Sequence, residues 1–224
     1  MLKTRCTGGS GLVQEQAASG DDLTGGNRMI LSRLIHSVRL AVARGGRGRA
    51  DYLRKKNLLG HVGTDVSFQP RRLPLYSELI RLHDNVGIAR NVDFCTHDIM
   101  HGVFNRYISS TRGPAAKPLR ERVGCIEIGA NSFIGSNVVL IYGARVGENV
   151  VVASGSVVTG ELEPGAVYAG APAKRVGTYE ELVERYVADQ AAGRMPTVAR
   201  GQRITPDEIA HAWQLFDEKS TSRR

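Results

Sequence analysis

Aromatic residues are scarce, at 6% of 224 residues. The interior must therefore be filled by Val, Ile, Leu and Ala rather than by stacked rings. Cysteine is nearly absent too: Cys6, Cys95 and Cys125 are odd in number and lack a C-x-x-C spacing. That excludes a disulfide framework and a zinc-binding pattern, and it fits a reducing, cytoplasmic setting. No apolar stretch approaches the roughly 20 residues of a membrane span, and no signal-peptide pattern opens the chain, so a soluble protein is expected. Acidic residues are outnumbered by basic ones, 22 against 30, for a net charge of +8. A surplus of that sign suits an anionic partner such as nucleic acid, a membrane surface or a phosphorylated cofactor, without choosing among them. Motifs for nucleic-acid recognition are missing. Glycine, by contrast, is abundant at 26 residues, which favours repetitive, turn-rich β structure.

The length suits one domain with appendages. Residues 1–28 are rich in Gly, Ser, Thr and Asp without an apolar period, and are expected to form a disordered leader. Residues 29–56 form a basic amphipathic helical segment. In it Ile30, Leu31, Leu34, Ile35, Val38 and Val42 recur at helical spacing, ahead of Gly45 and Gly46. This apolar row is expected to pack on the body, with peripheral membrane contact as the other use of a basic amphipathic helix. Residues 177–224 are expected to be helical. Thr178 with Glu181, and Thr205 with Pro206 and Glu208, have the spacing of helix-opening capping boxes, and these helices are expected to cover the open end of the body.

Between these appendages the signal is a stride of six. Ile128, Ile134, Leu140, Val146, Val152 and Val158 are all aliphatic, and a rougher run marks Val62, Phe68, Leu82, Ile88 and Phe94. Neither a helical period of 3.6 nor a strand period of 2 yields this beat. A three-sided solenoid does. Each hexad forms one side, its first residue points inward, and small or left-handed-tolerant residues such as Asn131, Gly135 and Asn149 approach the corners. The domain is placed at 57–176, and the loss of period over 95–125 predicts an inserted, functional loop.

The hexads, followed by SGSVVTGELEPGAVYAGAPAKRV, resemble the hexapeptide-repeat acyltransferases. YLRKKN, LYSELIRLHDNVGIARNVDFCTHD and GAPAK are most similar to the branch that O-acetylates capsular, exopolysaccharide or lipopolysaccharide sugars. The resemblance implies a mainly β fold, a left-handed parallel β-helix with an N-terminal helix and C-terminal helices. It further implies a homotrimer, acetyl-CoA as co-substrate, a sugar or polysaccharide acceptor and no metal. Coenzyme contacts then map to Ser136, Ser154, Thr159, Gly160 and Lys174; related enzymes often carry Lys where Gly160 stands.

Moving an acetyl group from a thioester to a hydroxyl requires a base, and histidine suits that role at neutral pH. Of His36, His61, His83, His97, His101 and His211, only His97 combines two features. It lies three residues beyond the inward Phe94, where the loop departs, and it matches the position of the family's catalytic histidine. Asp98 is assigned either to orienting that imidazole or to forming a turn. His101, Asn105 and Arg106 are candidate acceptor contacts, with Tyr107 and Arg112 nearby. An acyl-Cys95 intermediate activated by His97 is a rival chemistry. Two other classes compete: a γ-carbonic-anhydrase-like metal site from His83, His97 and His101, and a non-catalytic trimeric scaffold.

Overall fold

The computed structural model describes residues 21–113, 117–198 and 203–221. From His61 the chain cycles through three sheets in a fixed order. The first turn contributes β1 (His61–Val62) and β2 (Ser67–Phe68), and the second β3 (Ile80–Leu82), β4 (Gly87–Ile88) and β5 (Asp93–Cys95). An excursion carries β6 (His97–Asp98) and β7 (Arg122–Val123). The third turn then lays down β8 (Ile126–Ile128), β9 (Phe133–Ile134) and β10 (Val139–Ile141), and the fourth β11 (Arg145–Val146), β12 (Val151–Val152) and β13 (Val157–Val158). The fifth ends with β14 (Glu161–Leu162) and β15 (Ala166–Ala169), before β16 (Lys174–Thr178) turns back. Parallel pairing stacks β1, β3, β8, β11 and β14 as a first face, β2, β4, β9, β12 and β15 as a second, and β5, β10 and β13 as a third. The result is a three-faced column of stacked coils, as the stride of six predicts.

Every residue of the main stride is buried: Ile128, Ile134, Leu140, Val152 and Val158 are fully enclosed and Val146 nearly so. A second inward series lies two residues earlier, at Ile126, Ser132, Val138, Ala144, Val150 and Ser156, since positions i and i+2 of a strand share a face. Its two serines are enclosed only because their hydroxyls are satisfied. Ser132 Oγ donates to Gly147 O (3.0 Å) and accepts from Val150 N (3.1 Å), while Ser156 Oγ donates to Ala153 O (2.7 Å) and accepts from Gly170 N (3.1 Å).

The corners divide the labour among small residues. Asp65, Asn85, Asn131 and Asn149 occupy equivalent corners between the first and second faces with φ of 51 to 55°. This is the left-handed region that Asn and Asp tolerate best among residues with a Cβ. Two of them bond along the column, Asn85 Nδ2 to Asn131 Oδ1 at 3.0 Å. Gly135 serves a different need: a Cβ there would sit 2.5 Å from Ser154 N, so the coils could not approach.

Helix α1 runs Asp21–Val42 and α2 Gly45–Lys55. The first therefore starts inside the segment expected to lack structure; residues 1–20 of that segment lie outside the described residues. Its apolar row does not face the column. Ile30, Leu31, Leu34, Ile35, Val38 and Val42 are all at least 50% exposed. The opposite edge docks instead. Arg33 Nε donates to Leu73 O (3.1 Å), Ser37 Oγ accepts from Leu73 N (3.1 Å), His36 Nδ1 meets Tyr52 Oη (2.7 Å), and Leu40 is fully buried. Specific hydrogen bonds to a fixed loop thus set the helix's rotation.

At the far end, β16 pairs antiparallel with β15 and satisfies the last edge of the second face. Helix α4 (Tyr179–Ala191) opens with the expected box, Glu181 N bonded to Thr178 Oγ1 and Thr178 N to Glu181 Oε2, both at 3.2 Å. None of its residues is buried. A strand, rather than the expected helices, closes that edge. Helix α5 (Pro206–Thr221) begins with the equivalent Thr205–Glu208 pair. Among the described residues no helix is long and apolar enough to cross a membrane.

Candidate active site at a corner of the column

The excursion leaves the column just after β5 and returns beside its point of departure. Gly124 N bonds Thr96 O at 2.9 Å, and β6 pairs antiparallel with β7 through His97 with Val123 and Asp98 with Arg122. Thr96, fully buried, donates its hydroxyl to Leu75 O (2.6 Å) and fixes the departure point. His97 therefore projects from a defined corner, partly exposed, into a groove of about 880 Å³.

Neighbouring strand residues point to opposite sides, and this separates Asp98 from the imidazole. Its carboxylate accepts from Tyr142 Oη (2.7 Å) and from Met100 N (3.0 Å), at the start of helix α3 (Met100–Arg112). The Tyr142 hydrogen bond is the main cause holding its pKa below the usual carboxylate value, helped by the Met100 amide and the charges of Arg122 and His101. Asp98 is thus a helix-opening and cross-coil anchor, the turn-forming alternative of the two roles considered for it.

The carboxylate beside His97 is Glu121. Its Oε1 lies 3.8 Å from His97 Nε2, and its Oε2 accepts a hydrogen bond from Tyr76 Oη at 3.0 Å. That bond raises the pKa of Tyr76. The Tyr76 ring meets the imidazole edge-on, with centroids 5.6 Å apart. Tyr76 itself has φ of 49°, a left-handed conformation uncommon for an aromatic residue, as found where surrounding structure over-determines the backbone. Neither residue was a candidate from the sequence: Tyr76 lies in the LYSELIRLHD stretch without a role attached and comes from the excursion after β2, and Glu121 lies in no motif and comes from the return of the loop. The Nδ1 atoms of His97 and His101 are buried and have no hydrogen-bond partner among the described residues.

Cys95 shares the groove. Its thiol donates to Asp93 Oδ2 at 3.7 Å, and burial together with the Asp93 charge raises its pKa. Both effects disfavour the thiolate that an acyl-cysteine mechanism needs. Asn105 is also committed elsewhere: Nδ2 donates to Leu119 O (2.8 Å) and Oδ1 accepts from Leu119 N (2.9 Å), clamping α3 to the returning chain. Arg106 is exposed on α3, and His101 is half-buried in that helix's first turn.

The residues matched to coenzyme contacts fall on both edges of the third face. Ser136 and Ser154 stack at the corner between second and third faces, Ser136 N donating to Ser154 Oγ at 3.1 Å. Thr159 and Gly160 follow β13 at the corner between third and first faces. Phe94 pairs with Leu140 and Leu140 with Val158, so this pair sits above the His97 corner by two coils, roughly 10 Å at the usual strand spacing. A side chain at Gly160 would meet no atom within 4 Å. Lys174 is exposed at the start of β16.

His83 does not join His97 and His101. It bonds Glu127 Oε1 at 3.1 Å on the first face, with its ring 5.6 Å from that of His61. Among the described residues no group of three or more His, Cys, Asp or Glu could hold a metal ion.

Comparison with known proteins agrees with the repeat. The family model for the bacterial transferase hexapeptide (six repeats) matches residues 125–160. YvoF of Bacillus subtilis (strain 168), which carries an acetyltransferase name, is 26% identical over 140 residues, spanning 62% of this chain and 72% of its own. Galactoside O-acetyltransferase of Escherichia coli (strain K12) is 32% identical over 111 residues, and the match spans 48% of each chain. The solved structure of a galactoside acetyltransferase in complex with coenzyme A aligns with a TM-score of 0.49 at 20% identity, covering 71% of this chain and 85% of that one.

Proposed function

We propose that this chain, whose residues 125–160 carry the bacterial transferase hexapeptide repeat, is an acetyltransferase. It moves an acetyl group from acetyl-CoA to a sugar hydroxyl, of the capsular, exopolysaccharide or lipopolysaccharide kind, with His97 as general base. The column is of the left-handed type, and the working unit is a homotrimer. Support for the activity comes from the acetyltransferase names of YvoF and the galactoside enzyme. The exposed apolar row of α1 favours an assembly in which another column covers surface left open here.

One observation carries the reading: an imidazole in a groove, at the corner where the inserted loop departs, with a carboxylate 3.8 Å from its Nε2. His97 Nε2 takes the proton of the acceptor hydroxyl as that oxygen attacks the thioester carbonyl. Glu121 stabilises the imidazolium so formed. When the tetrahedral adduct collapses, the carbon–sulfur bond breaks and the imidazolium returns the proton to the departing thiolate. Ser136, Ser154, Thr159, Gly160 and Lys174 hold the coenzyme along the third face. His101 and Arg106 border the acceptor, and Asp98 acts through the loop's geometry.

The test is thiol release from acetyl-CoA against a panel of sugars, with wild type, His97→Ala and Cys95→Ser in parallel. Sugar-dependent release should fall by roughly 10²- to 10⁴-fold in His97→Ala and persist in Cys95→Ser. Undiminished turnover by a folded His97→Ala protein would refute the assignment.

A further inference from the structure

The groove that holds His97 is lined by four arginines from separate parts of the chain: Arg33 of α1, Arg71 and Arg72 of the segment after β2, and Arg90 at the corner after β4. Asp93 is the one carboxylate among the residues lining it. No ion pair engages any of the four arginines among the described residues; the arginines that do form pairs are Arg54, Arg81, Arg145 and Arg194.

The cluster is held in place. Leu73 is buried and fixed to Ser37 and Arg33, Pro70 is buried, and Arg90 O accepts from Asn137 N at 3.1 Å. Its positive field is already felt nearby, since the Arg71 charge adds to burial in lowering the pKa of Arg49. Like charges gathered in a concavity without counter-ions repel one another, and an anion in the groove relieves that repulsion while gaining charge-assisted hydrogen bonds. Guanidinium forks suit carboxylate and phosphate oxygens in particular.

Position separates this cluster from part of the coenzyme's. The arginines belong to α1 and the first two coils, Thr159 and Gly160 lie at the end of the fourth coil and Lys174 beyond the fifth, while Ser136 comes nearest, one coil above Arg90 at the same corner. His97 stands between the two groups. We infer that the arginine-lined side of the groove binds an acidic acceptor, a sugar whose carboxylate or phosphate is gripped by Arg33, Arg71, Arg72 and Arg90 while a hydroxyl reaches His97. This rests on the acetyltransferase reading and narrows its substrate class. Because the four side chains are exposed, their grip is open to screening by salt.

The experiment compares wild type with an Arg71→Gln/Arg90→Gln double variant, using glucuronate, glucose 1-phosphate and glucose as acceptors and, separately, as ligands in calorimetry without coenzyme. Wild type should bind and acetylate the two charged sugars in preference to glucose, with the difference shrinking at high salt. Whichever of glucuronate and glucose 1-phosphate is favoured identifies the anion. The double variant should raise KM for the charged sugars at least tenfold and leave acetyl-CoA binding unchanged. Arginine-dependent binding of an acidic sugar without any acetyl transfer would uphold the site and overturn the activity. Glucose accepted as well as the charged sugars, or equal losses on all three, would overturn the site alone. Loss of acetyl-CoA binding in the double variant would also overturn it, by assigning these arginines to the coenzyme.

Discussion

Replacing Glu121 by Gln removes a charge while keeping the shape of the side chain and an oxygen for Tyr76. Two unit charges 3.8 Å apart, the separation of His97 Nε2 and Glu121 Oε1, interact by about 4 kcal/mol at an effective dielectric of about 20 and about 1 kcal/mol in bulk water. The two side chains are 28% and 30% exposed, so the imidazolium formed during transfer should lose about 1 to 2 kcal/mol of stabilisation. At about 1.4 kcal/mol per tenfold, Glu121→Gln should lower kcat roughly 5- to 30-fold, less than His97→Ala. Asp98→Asn is the control: its carboxylate bonds Tyr142 and Met100 rather than His97, so kcat should stay near the wild-type value while thermal stability drops. Steady-state kinetics of thiol release, with the melting temperature of each variant, makes the comparison. A neutral Glu121→Gln beside a crippled Asp98→Asn would refute the assignment of Glu121 as the partner of the base.

Leu140→Ala should destabilise the column by about 2–5 kcal/mol, because the side chain is fully buried and its loss leaves a cavity; Ile141→Ala, at the outward half-buried neighbour, should cost much less, and urea unfolding midpoints decide. Stability should also fall in acid. The Glu127 carboxyl is held below its usual pKa, first by its hydrogen bond to His83, with Arg145 and Arg81 contributing. The unfolded chain therefore takes up that proton at a higher pH than the folded one, and the stabilisation, complete above the ordinary glutamate value of about 4.3, is lost as pH drops through the folded value. Melting temperatures from pH 7 to pH 3 should show this decline, and Glu127→Gln should flatten it.

The column was legible because each coil repeats one local rule. Ile128, Ile134 and Leu140 lie six apart and are all enclosed, and the asparagines marked as corner-tolerant do adopt left-handed φ at Asn131 and Asn149. The inserted loop was legible as an interruption of that rule, and His97 as the residue at its edge. Partners across the site were not. Glu121 and Tyr76 meet His97 from two separate excursions that carry no repeat, so no periodicity relates them. Asp98 was left between two roles for the complementary reason: adjacency in sequence does not say which way a side chain turns, and here strand alternation aims it at Tyr142 and Met100. The rotation of α1 was hidden as well, since hydrogen bonds from Arg33 and Ser37 to the backbone of Leu73 outweighed its apolar row.

The excursion leaves and rejoins the column at a narrow neck, where Thr96 and Gly124 touch through one backbone hydrogen bond and two short strands zip together. To the coils on either side, the polypeptide effectively passes straight from β5 to β8. A hanging segment closed at such a neck costs more entropy only as the logarithm of its length. Acceptor preference can therefore be rewritten by grafting a different loop between Asp98 and Glu121, which keeps His97, Glu121 and the Asp98 bond to Tyr142 in place above the stack.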